Sequence, residues 1–143
     1  VVIYNPITNT YLLEKRGPGC PDNIGKLCFP CGYLGWDETL KEAAVREVYE
    51  EIGVKINPDK LEFVGIQDSP NANRQNVTIR YKYRMSMSEM NEIVEKQELD
   101  SQSRGGERNE VEEIVLVQLK DIYEDVYKPE DFAFNHYDLI VHS

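Results

Sequence analysis

At 143 residues with 41% hydrophobic content, the chain has room for one domain, residues 1–143, whose core needs neither disulfides nor a structural metal. Sixteen basic against twenty-six acidic residues leave a formal charge of −10; the average field repels DNA, RNA and anionic lipid, so no DNA partner is expected and a phosphate-bearing substrate needs something cationic to bring it in. No apolar run reaches membrane-spanning length and no segment has the order of a secretory signal, so the expectation is a cytoplasmic protein with no membrane partner.

Residues 1–16, "VVIYNPITNTYLLEKR", are two β-rich runs around a turn cluster and predict a hairpin. "GPGCPDNIGK" follows as a loop, and "LCFPCG" as a brief strand stopped by Pro30 and Gly32. Cys20, Cys28 and Cys31 are an odd set without a neighbouring histidine. A zinc site closes with four ligands and a secreted disulfide framework has an even count, so free thiols are expected, with a redox pair at Cys28 and Cys31 as the alternative.

"ETLKEAAVREVYEEI", residues 38–52, reads as an amphipathic helix with Asp37 as N-cap and Gly53 as left-handed terminator. "LEFVGIQD" reads as a strand. In "NVTIRYKYRMSM", Val77, Ile79, Tyr81, Tyr83, Met85 and Met87 alternate with polar residues, the period of a sheet with one buried face. Residues 88–110 are polar and read as a loop with one helical turn. "VEEIVLVQL" is a further strand, "LKDIYEDVY" a helix with Leu119, Ile122, Tyr123, Val126 and Tyr127 on one face, and residues 131–142 a last helix. Strands interspersed with helices argue for an α/β (α+β) domain, a mixed sheet covered by helices.

The central helix places Glu47, Glu50 and Glu51 within five positions. At about 100° per residue they spread over roughly a quarter to a third of the circumference, beside the apolar arc of Ala44, Val45, Val48 and Ile52. Like charges at such spacing repel, by a few tenths of a kcal/mol per pair on an open helix. A solvated acidic face is one explanation. Two features favour another: Arg46 lies four residues from both Glu42 and Glu50 and can orient a carboxylate, and the turn "FPCGYLG" can aim backbone carbonyls at the same edge. Carboxylates plus a carbonyl suit a hard divalent cation, Mg2+ or Mn2+, which would remove the repulsion and bridge to a diphosphate.

The stretch "GYLGWDETLKEAAVREVYEEIGV", Gly32 to Val54, resembles the Nudix box, G-x5-E-x7-R-E-U-x-E-E-x-G-U, at all nine defined positions: Gly32, Glu38, Arg46, Glu47, Val48, Glu50, Glu51, Gly53 and Val54. The resemblance implies the Nudix fold, a mixed β-sheet between α-helices, and metal-dependent hydrolysis of the pyrophosphate linkage in a nucleoside diphosphate joined to another group. It implies that Glu50 and Glu51 are metal ligands, Glu47 a ligand or general base, Arg46 the group that orients a glutamate, Glu38 a brace between loop and helix, and Gly32 and Gly53 structural. The residue before the box, Cys31, stands where the family usually has a glycine whose carbonyl contacts metal.

"GGERNEVEEIVLV" is similar to the family's late loop and strand, which makes Glu110, Glu112 and Glu113 candidates for a further ligand or base, with Glu112 the expected metal ligand among them. Arg74 and Arg80 are candidate substrate contacts, since guanidinium suits phosphate, and Tyr81 and Tyr83 fall on the core face. Pro70 and "FAFNHYDLI" resemble features of ADP-ribose-type relatives, which makes ADP-ribose or a nucleotide sugar the leading substrate. A nucleoside triphosphate or RNA 5′-end pyrophosphohydrolase, and a non-catalytic nucleotide-binding regulatory module, are the alternatives. Homodimerisation is left open.

Overall fold

A computed structural model describes residues 1–70 and 76–142 of the chain. Its six strands are β1 (Val2–Asn5), β2 (Thr10–Arg16), β3 (Leu27–Cys28), β4 (Glu62–Gln67), β5 (Thr78–Arg84) and β6 (Val111–Gln118). The helices are α1 (Leu40–Ile52), α2 (Met87–Lys96), α3 (Leu119–Tyr123) and α4 (His136–Val141).

The predicted hairpin is present: β1 and β2 pair antiparallel with Ile3 opposite Leu12. Its turn is an Asn-led one, with Asn5 Oδ1 accepting from the N–H groups of Ile7 (3.0 Å) and Thr8 (3.1 Å). β2 is the hub of the sheet. One edge carries β1 along its first half and β3 along its second, and the other edge pairs with β6 throughout, Thr10 opposite Gln118 to Arg16 opposite Val111. β1 runs parallel to β5, and β5 antiparallel to β4, so the sheet is mixed as expected.

Period-two alternation gives this sheet two buried faces. On one, Ile3, Leu12, Tyr81, Tyr83 and Ile114 pack with Val48 and Ile52 of α1 and Met90 and Ile93 of α2. On the other, Val2, Tyr11, Leu13 and Val117 pack with Ile122 of α3 and Ile140 of α4. Tyr81 and Tyr83 are core residues. Among the described residues, no helix is long and apolar enough to cross a membrane.

Four expectations are corrected. The N-cap of α1 is Thr39 and not Asp37: Thr39 Oγ1 accepts from Glu42 N–H (3.1 Å) while the Glu42 carboxylate accepts from Thr39 N–H (3.2 Å), and Asp37 instead takes a turn conformation with φ of 61°. Residues 88–110 are not mainly loop, because Met87, Met90, Ile93 and Val94 form a short apolar stripe that docks a ten-residue helix, α2, with Ser86 as its cap. The helix at "LKDIYEDVY" stops at Tyr123; Asp125 is left-handed (φ 55°), and Tyr123 and Val126 are exposed. The last segment is helical only from His136, since Ala133 N–H bonds to Leu27 O (2.8 Å) and Phe134 has a φ of 57°. Gly53 does end α1 in the left-handed conformation, with φ of 78°.

The two-way cap at Thr39 sets where α1 begins and hence the rotation of its acidic edge. Thr39→Ala is expected to lower stability by about 1 kcal/mol, read as a shift in urea midpoint at constant slope.

Candidate functional site

Arg46 lies at the centre of the acidic edge. Its Nη2 donates to Glu38 Oε1 (2.7 Å) and to the Tyr33 carbonyl (2.8 Å), its Nε to Glu38 Oε2 (3.0 Å), and its Nη1 to Glu47 Oε1 (2.8 Å) and Glu50 Oε2 (3.2 Å). One guanidinium thus ties the loop before α1 to two of its carboxylates, a use of the planar donor fork that an ammonium could not copy. Glu42, the other partner that helical spacing offered, is taken by the Thr39 cap. Glu38 also accepts from Gly35 N–H (2.6 Å), which braces the loop.

Glu51 lies outside this fan. It is only 3% exposed, and its Oε1 accepts from Cys31 N–H (3.4 Å). Its neighbour is Glu14 of β2, 2% exposed, and the two carboxyls act on each other electrostatically. In each, Oε2 is buried without a partner. Burial pushes the Glu14 carboxyl up to about 7, and burial followed by the charge of Glu14 pushes Glu51 well above the carboxylate range. Glu47 is raised too, chiefly by burial and against the pull of Arg46.

Glu14 was missed on sequence, although a signal was there. In "YLLEKR" Tyr11 and Leu13 alternate with Leu12 and Glu14, so a carboxylate follows Leu12 on the face covered by α1.

The chain leaves β3 through Phe29 and Pro30 to reach Cys31 and Gly32. Phe29 N–H donates to His136 Nδ1 (2.9 Å), so the buried imidazole of α4 anchors the start of this loop from the other side of the sheet. At Gly32 a β-carbon would overlap the Glu47 carboxylate; the glycine there is a requirement of close approach. Cys28 and Cys31 are free thiols that act on one another electrostatically.

The late loop reaches α1 as well. Arg104 Nε donates to the Tyr49 carbonyl (2.8 Å), and Gly105 passes Glu50 closely. Of the three late acids, Glu110 belongs with this cluster: it is partly buried, interacts electrostatically with Glu50 and Glu14, and is raised mainly by burial. Glu112 is half-exposed and pairs with Lys15 (3.3 Å), whose side chain alternates to the sheet face opposite Glu14, so the structure does not bring Glu112 to the box. Glu113 is exposed opposite Lys15. Arg80 alternates away from Tyr81 to the face covered by α4, where Asp138 is its electrostatic partner. Arg74 lies outside the described residues.

Among the described residues no three His, Cys, Asp or Glu side chains already close on one centre. The donor set nevertheless fits a hard dication: its atoms are carboxylate oxygens, two of them buried and unpartnered, and such atoms call for either a proton or a cation.

The family model of the NUDIX domain matches residues 1–141. Nudix hydrolase 3 of Caenorhabditis elegans is 40% identical over 57 residues, which is 40% of this chain and 23% of that protein, so the matched stretch is a minor part of that relative. The NUDIX domain of Shewanella oneidensis NrtR, solved with ADP ribose, superimposes with a TM-score of 0.62 at 20% identity, covering 98% of this chain and 79% of that one. A bifunctional NMN adenylyltransferase/ADP ribose pyrophosphatase from Francisella tularensis, solved with AMP and a Mn ion, gives 0.69 at 14% identity, covering 99% of this chain and 38% of that one. At such identities the structural likeness concerns the fold. The chain belongs to the Nudix hydrolase family.

His136 makes the loop anchor pH-sensitive. Burial holds its pKa down at about 3 against 6.5 for the free side chain. Because the folded value is depressed, stability is complete above about pH 6.5 and is lost as pH falls toward 3, at up to about 1.4 kcal/mol per pH unit. Subtracting urea-derived stabilities of His136→Asn from wild type between pH 7 and 4 should recover that slope.

Proposed function

We propose that the chain hydrolyses the pyrophosphate linkage of a nucleoside diphosphate joined to another group, with ADP-ribose as the leading substrate and a nucleotide sugar next. The observation that carries the reading is the division of labour on α1: Arg46 is bound to Glu38, Glu47 and Glu50, while Glu51 keeps a buried oxygen without a partner. A purely solvated acidic face would have left these oxygens in water.

Glu47, Glu50 and Glu51, with the Cys31 carbonyl, would hold Mg2+ or Mn2+. When bound, that cation supplies charge neutralisation at the diphosphate and lowers the pKa of a coordinated water. Arg46 keeps Glu47 and Glu50 in place, and Gly32 lets the loop backbone approach Glu47. A carboxylate must accept the proton of the attacking water. Glu110 is the late acid suited to that task, since burial raises its basicity and it lies close enough to Glu50 to feel its charge. Glu112, engaged by Lys15, is not assigned to the metal.

Support for ADP-ribose comes from the ligand of the Shewanella domain and the named activity of the Francisella enzyme. The "FNH" segment supports it less directly. Its His136 holds Phe29, and its Phe134 is exposed beneath the Arg16 guanidinium at 5.0 Å.

Two measurements test the reading. Chromatography of products from ADP-ribose, nucleotide sugars, nucleoside triphosphates and 5′-triphosphate RNA, each with Mg2+ and with Mn2+, should give metal-dependent release of AMP from ADP-ribose. Release of pyrophosphate from triphosphates instead would assign the alternative activity, and binding of ADP-ribose without turnover would assign the non-catalytic module. In addition, Glu50→Gln should reduce kcat at least about 100-fold, while its metal-free melting temperature stays close to that of wild type. Turnover within a few-fold of wild type would remove Glu50 from the site.

A further inference from the structure

Glu14 has no part in the roles assigned so far, yet it is the most buried acid among the described residues. It projects from the hub strand between β3 and β6, opposite Cys28 and Ile114 in register, and is 2% exposed. Its carboxyl therefore cannot swing out to water. Its Oε1 meets the Cys28 thiol at 3.9 Å and its Oε2 meets nothing, while Glu51 beside it has an unpartnered Oε2 of its own.

The cationic side chains nearby are committed elsewhere. Arg16 bonds to Asp22 (2.9 Å) and stacks on Phe134, and Arg46 is bound to Glu38, Glu47 and Glu50. Among the described residues no lysine or arginine side chain bonds to Glu14 or Glu51. The Val1 ammonium, which donates to Pro30 O (2.8 Å), and Arg16 act on Glu14 through their charge alone, and a buried carboxylate is stable with a closer partner or a metal.

We propose that Glu14 is a direct ligand of the divalent cation, so that the sheet itself, through β2, contributes an oxygen to the site alongside Glu51 of α1. This rests on the reading that α1 holds a dication. Two orphan oxygens from adjoining carboxyls, one on the sheet floor and one on the helix above it, are the oxygen donors a hard cation selects. The cation then lies between the two carboxyls and offsets the repulsion that burial intensifies. The expected consequence is a site closed from two elements, whose metal binding also clamps α1 to the sheet.

The test is Mn2+ binding, by calorimetry and by electron paramagnetic resonance of the free ion, on wild type, Glu14→Gln and Glu50→Gln without substrate. Glu14→Gln should bind at least about tenfold more weakly and lose most of the Mn2+-dependent rise in melting temperature, which follows affinity by mass action. Affinity within twofold of wild type in Glu14→Gln, with Glu50→Gln weakened, overturns the role of Glu14 and leaves the α1 site standing. Unchanged affinity in both overturns the α1 reading as well. Should Glu14→Gln not fold, anomalous scattering from Mn2+ in wild-type crystals decides: an ion about 2 Å from a Glu14 oxygen supports the proposal, and a water between them overturns it.

Discussion

More carboxylates converge on the edge of α1 than there are cations to meet them, and the local structure follows from that imbalance. Arg46 engages three, Glu38, Glu47 and Glu50, through its five-donor fork. The remaining two, Glu14 and Glu51, have each other and one backbone or thiol contact apiece. Satisfying the first group with a fixed guanidinium sets the positions of the helix edge and the preceding loop. Leaving the second group unsatisfied creates a local demand for positive charge.

Holding that arrangement requires support from outside α1. The Thr39–Glu42 cap determines where the helix starts, and the packing of Val48 and Ile52 on Leu12 and Tyr81 determines which arc is left for the acids. From the other face of the sheet, His136 accepts the Phe29 N–H and fixes the point from which the Cys31–Gly32 backbone departs. Burial keeps that imidazole neutral, and so able to accept, throughout the range in which carboxylates stay charged. Residues far apart in the chain therefore share the work of positioning one backbone turn.

The free thiols follow the same logic. Cys31 precedes the box as a free thiol that acts electrostatically on Cys28 and on the buried acids. The Cys31 N–H meanwhile remains on Glu51.

Local spacing alone determined the acidic helix, its Gly53 terminator and the alternating strand of Tyr81 and Tyr83, because each depends on residues three, four or two positions apart, and the box was legible as a resemblance over Gly32 to Val54. Tertiary structure decided the rest. Glu14 joins Glu51 only because β2 lies under α1, a contact spanning 37 positions of sequence that periodicity cannot encode. Glu110 and not Glu112 reaches the cluster because a register shift between β2 and β6 at Lys15 and Arg16 turns Val111 into the core and leaves Glu112 outside, beside Lys15. Likewise α2 exists because a short, weak stripe of Met87, Met90, Ile93 and Val94 finds a hydrophobic surface to bury against. Short-range geometry is written in the order of side chains, whereas the pairing of charges depends on which strand lies beside which, and that is settled only when the whole sheet packs.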